Sequence, residues 1–297
     1  MIKKLINYIK NPDYFLLWLD MKRIITLNDE LYLKILYKKI VGKKLNISNP
    51  QTFNEKLQWL KINDRKDLYT TMVDKYEAKE YVANIIGEEY IIPTLGIYNK
   101  FEDIYFERLP NQFVIKCTHD SGGVVICKDK SNFDIKKAKN KINKCLKKNY
   151  YYLGREWPYK NIKPRIIIEK YMEDTKNDDL IDYKIMCFNG KVKCSFICLN
   201  RRSKTGLNVD FYDINWNKMP FERHYKNSSI ITPKPEQYDK MVELSEKLSQ
   251  NIPFLRVDFY EINGKIYFGE LTFFPGSGME EFTPDEWDKK LGDFLIL

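Results

Sequence analysis

Long apolar runs are the first thing this sequence lacks. No segment approaches the roughly 20 apolar residues that a membrane-spanning helix needs. The basic start, MIKKLINYIK, leads into no long apolar region and no small-residue cleavage site, so we expect no signal peptide. The six cysteines form no CxxC pair and no metal-finger spacing. We therefore expect reduced core cysteines in a cytoplasmic protein.

Two common nucleotide-binding signatures are also missing. The sequence has no GxxxxGK(S/T) motif, and no GxGxxG motif follows a predicted strand. Hence neither a P-loop nor a Rossmann site is supported. Internal repeats and low-complexity segments are absent as well.

What the chain does have is apolar content and positive charge. Its 297 residues are 43% hydrophobic, enough for one large domain or two modest ones. The 50 Lys and Arg residues exceed the 41 Asp and Glu residues, which gives a formal net charge of +9. The excess lies mainly at 1–44 and 136–148. Such a balance suits a polyanion, an anionic membrane surface or a phosphate-rich substrate.

The basic and aromatic first 45 residues allow two interpretations. Their apolar side chains, such as Phe15, Trp18 and Leu33, could make a peripheral contact with the inner membrane surface. Alternatively, they pack one or two N-terminal helices on the main body. We favour packing, because apolar faces at helical spacing are usually buried.

The first hundred residues are predicted to be mainly helical. Residues 52–55 (TFNE) and 74–77 (DKYE) both match the N-cap and N3 pattern of a helix start, and Gly87 is expected to end the second helix.

After residue 93 the pattern changes to short β-rich runs. They lie at 112–118, 124–128, 165–171, 183–188, 191–199, 255–261 and 265–273. Helical stretches at 134–149 and 235–250 lie between them, and 283–286 (TPDE) starts a last helix. Strand runs interspersed with helices, with several hairpin signals, predict an α+β fold with antiparallel sheets.

Residues 114–128 (VIKCTHDSGGVVICK) form the first candidate site. Two strand-like runs flank Gly122 and Gly123, and a glycine pair lets main-chain amides approach an anion. Lys116 adds a positive charge, and His119 either donates to phosphate or caps the turn. Taken alone, the segment is better explained as a plain hairpin, because DSGG is also good turn chemistry.

Two strand runs around the NG dipeptide at 263–264 form the second candidate. A two-residue turn there places Asp258 and Glu270 on opposite faces of the hairpin. A three-residue loop with a glycine bulge pairs Arg256 with Glu270 instead. One face then carries Arg256, Asp258, Glu270 and Thr272, and the other carries Val257, Phe259, Tyr267 and Leu271. We favour this second register because it separates polar from apolar residues.

The two carboxylates of that face predict a metal site. Neighbouring carboxylates repel each other unless a cation lies between them, and Mg²⁺ is usually bound by oxygen ligands beside phosphate. The alternative is a solvated outer face, which the apolar residues Tyr260, Ile266 and Phe268 make less favourable.

Two further segments carry candidate residues. The strand at 166–172 ends in an acidic loop, where its edge could hold an adenine and Glu173 a ribose, or where the strand simply ends. Farther on, Lys184, Arg201 and Arg202 either meet phosphate or a carboxylate, or form a solvated basic rim. The loop at 200–221 carries no motif with a chemical interpretation.

The order of these pieces resembles the ATP-grasp fold, which has an inward lysine, a glycine-rich hairpin, an apolar linker strand and late strands with Asp and Glu. Five segments resemble the TupA-like ATP-grasp proteins of teichuronopeptide biosynthesis, a branch found in cell-surface polysaccharide loci. They are 49–61 (NPQTFNEKLQWLK), 74–76 (DKY), 92–98 (IPTLGIY), 119–123 (HDSGG) and 269–278 (GELTFFPGSG). The resemblance runs from about residue 31 to the C-terminus.

That resemblance implies a helical N-terminal region at 1–92, a small subdomain at 93–170 and a large subdomain at 171–297, with ATP and Mg²⁺ as cofactors. The implied nucleotide-contacting residues are Lys116, His119, Ser121, Gly122, Gly123, Glu169, Lys170, Tyr171, Met172 and Glu173. The implied metal ligands are Asp258, Glu270 and Thr272, with a water molecule as the alternative to Thr272, where an Asn is more common. The implied catalytic residues are Arg256, Lys184 and Arg202.

The implied activity is that of an ADP-forming carboxylate–amine ligase that acts through an acyl phosphate. We expect its partners to be an acidic sugar, such as a uronic acid, or an acidic glycan, together with a small amine or amino acid. No nucleic-acid partner is expected. The alternatives are a sugar phosphotransferase, a glycosyltransferase, which only the pair Asp178-Asp179 favours, and a non-catalytic nucleotide-binding protein of a glycan assembly complex.

Overall fold

The structure is a computed structural model that describes residues 12–175, 180–200 and 206–297. Its helices are α1 (Pro12–Met21), α2 (Asp29–Val41), α3 (Phe53–Asn63), α4 (Leu68–Val73), α5 (Glu77–Ile86), α6 (Ile135–Leu146), α7 (Tyr151–Gly154), α8 (Tyr238–Leu248) and α9 (Glu286–Asp293). Its strands are β1 (Thr94–Tyr98), β2 (Phe113–Cys117), β3 (Val124–Cys127), β4 (Ile166–Lys170), β5 (Asp182–Phe188), β6 (Lys191–Leu199), β7 (Asn208–Asp213), β8 (Glu222–Arg223), β9 (Phe254–Ile262), β10 (Lys265–Thr272) and β11 (Phe282–Thr283). The candidates Asp178, Asp179, Arg201 and Arg202 lie outside the described residues.

The smaller of the two main sheets has the strand order β1-β4-β2-β3. All its strand pairs are antiparallel, and β2 and β3 form the predicted hairpin. One face packs Phe113 and Ile115 against Ala138 and Ile142 of α6. The alternation of side chains along β2 turns Lys116 to the opposite face. β1 was not predicted; it is a short edge strand with Gly96 at its centre, so its apolar pattern is weak.

The larger sheet has the order β10-β9-β5-β6-β7 and is also antiparallel. It shares one hydrophobic core with α3, α4, α5 and α8, as Leu57, Met72, Val82 and Leu244 cluster with Val257. The predicted α+β class with antiparallel sheets is therefore confirmed.

The interpretation of 200–221 as a loop is wrong for its middle part, 208–213. There, β7 pairs with β6 from Asn208 to Asp213 and forms an edge of the larger sheet. The four central residues of β7 are buried, so the strand lacks the polar–apolar alternation of a half-exposed strand.

Side-chain caps set the helix starts that the sequence predicted. The Thr52 hydroxyl accepts from the amide of Glu55, whose carboxylate accepts in turn from the amide of Thr52. Asp74 accepts from the amides of Tyr76 and Glu77 at the start of α5. Gly87 ends α5, as predicted.

The first two helices pack on the body of the protein. Leu17, Tyr32 and Leu36 are buried in one cluster with Met279. No helix in the described part of the chain is long and apolar enough to cross a membrane. The six cysteines are free; five are buried and Cys198 is partly exposed.

Candidate functional site

A cleft of about 1260 Å³ lies between the two main sheets. The smaller sheet contributes Val114, Lys116, Val124, Ile126 and Glu169, and the larger sheet contributes Asp182, Lys184, Asp258, Tyr260 and Glu270. The segment from Lys170 to Thr175, which leads from one sheet towards the other, also lines the cleft. One cleft therefore joins an apolar wall, several lysines and paired carboxylates.

The turn between β2 and β3 projects into this cleft through Ser121 and Gly122. Gly122 has a left-handed φ of +87°, which glycine adopts without strain. A Cβ on Gly123 would lie 2.9 Å from Asp120 Oδ2 and 3.1 Å from Cys145 Cβ, so a side chain there would displace the turn. Gly122 is thus required for the backbone conformation of the turn, and Gly123 for its close packing.

His119 lies behind the turn rather than in the cleft. It is 3% exposed, and its ring lies beside the backbone of Cys145 and Lys148. Burial lowers the pKa of His119, which favours the neutral ring. The structure therefore gives His119 no position from which to contact a ligand of the cleft.

A buried ion-pair cluster holds Lys116 in place. Its Nζ lies 2.5 Å from Glu169 Oε2, and Lys79 of α5 contacts the other carboxylate oxygen. Glu169 is only 5% exposed. Burial raises the pKa of Glu169, but the two lysines outweigh it and lower the pKa to about 2. Glu169, a predicted nucleotide contact, therefore orients a lysine as well as lining the cleft.

Lys170 does not share a strand face with Lys116. In the β2–β4 pairing, Lys170 opposes Phe113, whereas Val114, which opposes Glu169, lies on the face of Lys116. The Lys170 amide donates to Pro93 O. The two lysines that sequence analysis grouped together thus differ in orientation, although both line the cleft.

The β9–β10 hairpin has a different turn from the predicted one. Ile262 pairs with Lys265 across a two-residue turn, so the three-residue loop is wrong. A bulge at Gly269 then shifts the register and sets Glu270 opposite Asp258. The bulge, and not the turn, therefore produces the predicted polar face. Arg256, Asp258, Glu270 and Thr272 lie on that face.

The same bulge changes the apolar face of this hairpin. Tyr267 pairs with Tyr260, which lines the cleft, so the assignment of Tyr267 to the core face is wrong. Phe268 takes that place, paired with Phe259 in the core.

Arg256 ties the two carboxylates together. Its Nε lies 2.6 Å from Asp258 Oδ1, and its Nη2 lies 2.8 Å from Glu270 Oε1. Lys184 contacts Asp258 from β5 and also lies 2.6 Å from Asp182 Oδ2. The predicted catalytic pair Arg256 and Lys184 is therefore bound directly to the predicted metal ligands.

Lys75 completes the cluster from the turn before α5. Its Nζ donates to Asp120 O at 2.8 Å and lies 3.9 Å from Glu270 Oε2. Burial raises the pKa of Glu270, but Lys75 and Arg256 outweigh it and lower the pKa to about 2. Lys75 thus connects the glycine turn with the carboxylates across the cleft.

The carboxylates fit a divalent cation with help from other oxygen ligands. Asp258 and Glu270 both line the cleft, and the Thr272 hydroxyl lies 3.4 Å from Glu270 Oε1. In the described residues, no group of three or more His, Cys, Asp and Glu side chains could hold a metal ion. The donor set therefore suits Mg²⁺ only if phosphate or water oxygens complete its coordination.

The structure collects most of the predicted site residues in one place. Those that line the cleft are Lys116, Ser121, Gly122, Glu169, Lys170, Tyr171, Met172, Glu173, Lys184, Asp258 and Glu270. His119, Gly123, Arg256 and Thr272 do not line it, although Arg256 binds both carboxylates. Arg202 lies outside the described residues.

Sequence reasoning missed Lys75 and Lys79 as functional residues. The DKY segment carries Lys75, but helix capping alone explained that pattern. The contact of Asp182 with Lys184 was not predicted either.

Three solved structures illustrate the similarity to known proteins. A D-alanine–D-alanine ligase from Helicobacter pylori is 14% identical, with a TM-score of 0.43 over 76% of this chain and 63% of that one. The Bacillus anthracis D-alanine–D-alanine ligase complexed with ATP is 15% identical, with a TM-score of 0.41 over 76% of this chain and 63% of that one. The ATP-grasp ligase PsnB, complexed with a phosphomimetic precursor variant, Mg and ADP, is 10% identical, with a TM-score of 0.42 over 80% and 63%.

This chain spans less than two thirds of the length of each of these three proteins. No curated protein matches its sequence. The sequence pattern of one protein family, described as TupA-like ATPgrasp, matches residues 55–296.

Proposed function

Because this chain belongs to the TupA-like ATP-grasp family, we propose that it is an ATP-dependent carboxylate–amine ligase. One observation carries the proposal: a glycine turn and Lys116 line the same cleft as Asp258 and Glu270. Phosphoryl transfer needs this combination, because catalysis depends on positioning the phosphates and stabilising their charge.

The cleft suggests how ATP is oriented. The main chain of Tyr171 and Met172 would hold the adenine edge, and Glu173 would bind the ribose. Ser121 and Gly122 would then cover the β and γ phosphates. The apolar side chains of Val114 and Ile126, which also line the cleft, suit a purine ring, and Lys75 and Lys116 suit phosphate.

Asp258 and Glu270 would hold Mg²⁺, with Thr272 or a water molecule as a further ligand. When bound, the metal would neutralise charge on the phosphates. Arg256 would orient the two carboxylates through the bonds it already makes to both. Arg202 belongs to the proposed catalytic set by resemblance alone.

In the proposed reaction, an oxygen of the acceptor carboxylate attacks the γ-phosphorus of ATP, and ADP leaves. The amine then attacks the carbonyl carbon of the acyl phosphate, and inorganic phosphate and a proton are released. Arg256 and Lys184 would stabilise the negative charge that develops on the transferred group. The cleft walls would exclude water, which otherwise hydrolyses an acyl phosphate.

We propose an acidic sugar, such as a uronic acid in a cell-surface polysaccharide, as the acceptor, and a small amine or amino acid as the nucleophile. The TupA-like resemblance supports this choice, and so does the net positive charge. A cytoplasmic location and a peripheral contact of the basic N-terminus with the inner membrane surface belong to the same proposal.

The test measures ADP release with Mg-ATP, a set of uronic acids and a set of small amines. A ligase needs both acceptor and amine, whereas release with the sugar alone would identify a phosphotransferase. Asp258→Asn and Glu270→Gln should each lower turnover by about 100-fold or more. Asp239→Asn, at an exposed ion pair on α8, should leave turnover unchanged.

Two results would contradict the ligase proposal. The first is full turnover in both carboxylate variants. The second is Mg-ATP binding without turnover for any acceptor, which would favour a non-catalytic nucleotide-binding protein.

A further inference from the structure

Lys184 occupies the side of Asp258 that a metal ion would need. The two residues are directly paired across β5 and β9, and their exposed fractions are only 7% and 1%. Lys184 Nζ donates to Asp258 Oδ2, while Arg256 binds both oxygens of the same carboxylate. Asp258 is thus saturated by cations of the protein itself.

The ion pairs linked to Lys184 join three cations to three carboxylates. The cations are Lys75, Lys184 and Arg256, and the carboxylates are Asp182, Asp258 and Glu270. A bare divalent ion would add two positive charges to this largely buried cluster, which is unfavourable without compensation. The phosphates of a nucleotide would bring the missing negative charge.

We propose that Lys184 holds the metal position on Asp258 until phosphates enter the cleft, so that a divalent ion binds together with ATP and not before it. This inference rests on the proposed function, since it requires metal and nucleotide to share the cleft. In this role Lys184 is a positioning residue. Phosphate would offer its ammonium group a new acceptor, while Asp182, 2.6 Å away, keeps it nearby.

The choice of side chain supports an exchangeable contact at Lys184 and a fixed one at Arg256. Arg256 makes two bonds to Asp258 and a third to Glu270, a planar arrangement that is hard to replace. A lysine carries a compact charge on a flexible stem and can move between acceptors. Lys184 is therefore the cation that a metal ion can displace from Asp258.

The experiment uses the full chain and Mn²⁺ as the probe, with free Mn²⁺ followed by electron paramagnetic resonance. The wild type should bind Mn²⁺ at the cleft only when a nonhydrolysable ATP analogue is present. Lys184→Met removes one positive charge and frees Asp258 Oδ2 from the lysine. We expect this variant to bind Mn²⁺ without nucleotide at least tenfold more tightly than the wild type.

Three further variants control this result. Lys184→Arg keeps the positive charge and should likewise prevent Mn²⁺ binding without nucleotide, and because an arginine is harder to displace it should weaken Mn²⁺ binding with the analogue. Lys191→Met removes an exposed lysine from β6 and should change nothing, since its side chain is 66% exposed. Adding Asp258→Asn to Lys184→Met should abolish the gained binding, which excludes a site elsewhere on the surface.

The inference is overturned if the wild type binds Mn²⁺ equally well without nucleotide, or if Lys184→Met gains no binding. Should Lys184→Met fail to fold, Lys184→Gln removes the charge and keeps only an uncharged donor for Asp258, which a metal ion displaces more easily than an ammonium group, so a gain in the same direction is expected. Failure of the wild type to bind Mg-ATP at all would count against the proposed function instead. The two failures are distinguishable because the comparison of bare Mn²⁺ binding needs no nucleotide.

Discussion

At the scale of single residues, buried charges decide where the groups of the cleft lie. Lys116 lines the cleft, but its ion pair with Glu169 determines its position, and Lys79 contacts the other oxygen of the same carboxylate. Sequence analysis identified Lys116 and Glu169 as nucleotide contacts by resemblance. It could not pair them with Lys79, because no spacing along the chain relates a residue of α5 to one of β4.

Glu169 should make stability depend on pH. Its pKa is about 2 in the folded protein, against an ordinary value of 4.5, so its stabilising effect is present above pH 4.5 and is lost as the pH falls towards 2. The shift corresponds to about 3 kcal/mol of unfolding free energy. We expect Glu169→Gln to lose that amount at pH 7 and to show a flatter decline between pH 5 and pH 3, measured by urea unfolding.

Glu243→Gln is the matched control for that measurement. The pKa of Glu243 is also lowered to about 2, by Lys240 and Lys247, but the side chain is 48% exposed on α8. Solvent screens such surface pairs, so its removal should change stability little. Equal losses in the two variants would contradict the role assigned to the buried pair.

At the scale of elements, the β9–β10 hairpin sets the polar face of the larger sheet. The turn at Asn263 and Gly264 alone would send Glu270 to the face opposite Asp258, because successive strand residues alternate. The bulge at Gly269 reverses this. The separation of polar from apolar side chains predicted the shared face correctly. The face results from the bulge at Gly269, however, and not from the predicted three-residue turn.

Gly269→Ala should disturb the metal-binding face. The added Cβ would lie 3.1 Å from Asp258 O and 3.1 Å from Tyr260 Cε2, so the backbone of Asp258 has to move. We expect a loss of about 1–2 kcal/mol in unfolding free energy. Calorimetry should show an affinity for the Mg-ATP analogue that is lower by about tenfold.

Gly264→Ala is the control that distinguishes an effect on the metal-binding face from a general loss of hairpin stability. Gly264 has a φ of +77° and open space around its Cβ position, so alanine costs about 1 kcal/mol of stability without touching Asp258. Its affinity for the Mg-ATP analogue should equal that of the wild type. If Gly269→Ala also binds normally, the bulge does not control the site.

At the scale of the whole molecule, the N-terminal helices are part of the folded body. Leu57 and Met72 lie in the core of the larger sheet. Arg155, which is 1% exposed, pairs with the equally buried Asp20 of α1. The division at residues 92 and 170 stays a prediction, and residues 1–92 include helices that share a core with the last third of the chain.

Two deletions should therefore behave differently. Removal of 1–92 strips Leu57 and Met72 from the core of the larger sheet, and we expect no soluble folded protein by circular dichroism. Removal of 1–11 deletes none of the core contacts that the structure describes. It also tests the membrane proposal, since binding to phosphatidylglycerol vesicles should weaken relative to the full chain.

Removal of 1–20 is a poorer test of membrane binding. It would delete Asp20, one of the two carboxylates paired with the buried Arg155, and leave only Asp29 as its ion-pair partner. Removal of one member of a buried ion pair is strongly destabilising. A folded, soluble 93–297 fragment, or equal vesicle binding by the full chain and the 1–11 deletion, would contradict these expectations.

The sequence by itself determined the local structure and the chemical inventory of this protein. Caps at Thr52 and Asp74, the hairpin at 114–128 and the shared face of Asp258 and Glu270 all follow from neighbours along the chain, since turns and alternation act over a few residues. The tertiary structure alone decided which distant charges meet: Lys75 with Glu270, Lys79 with Glu169, and Lys184 with Asp258. These contacts depend on how helices and sheets pack around one core, and that packing energy is spread over the whole chain rather than written in any short motif.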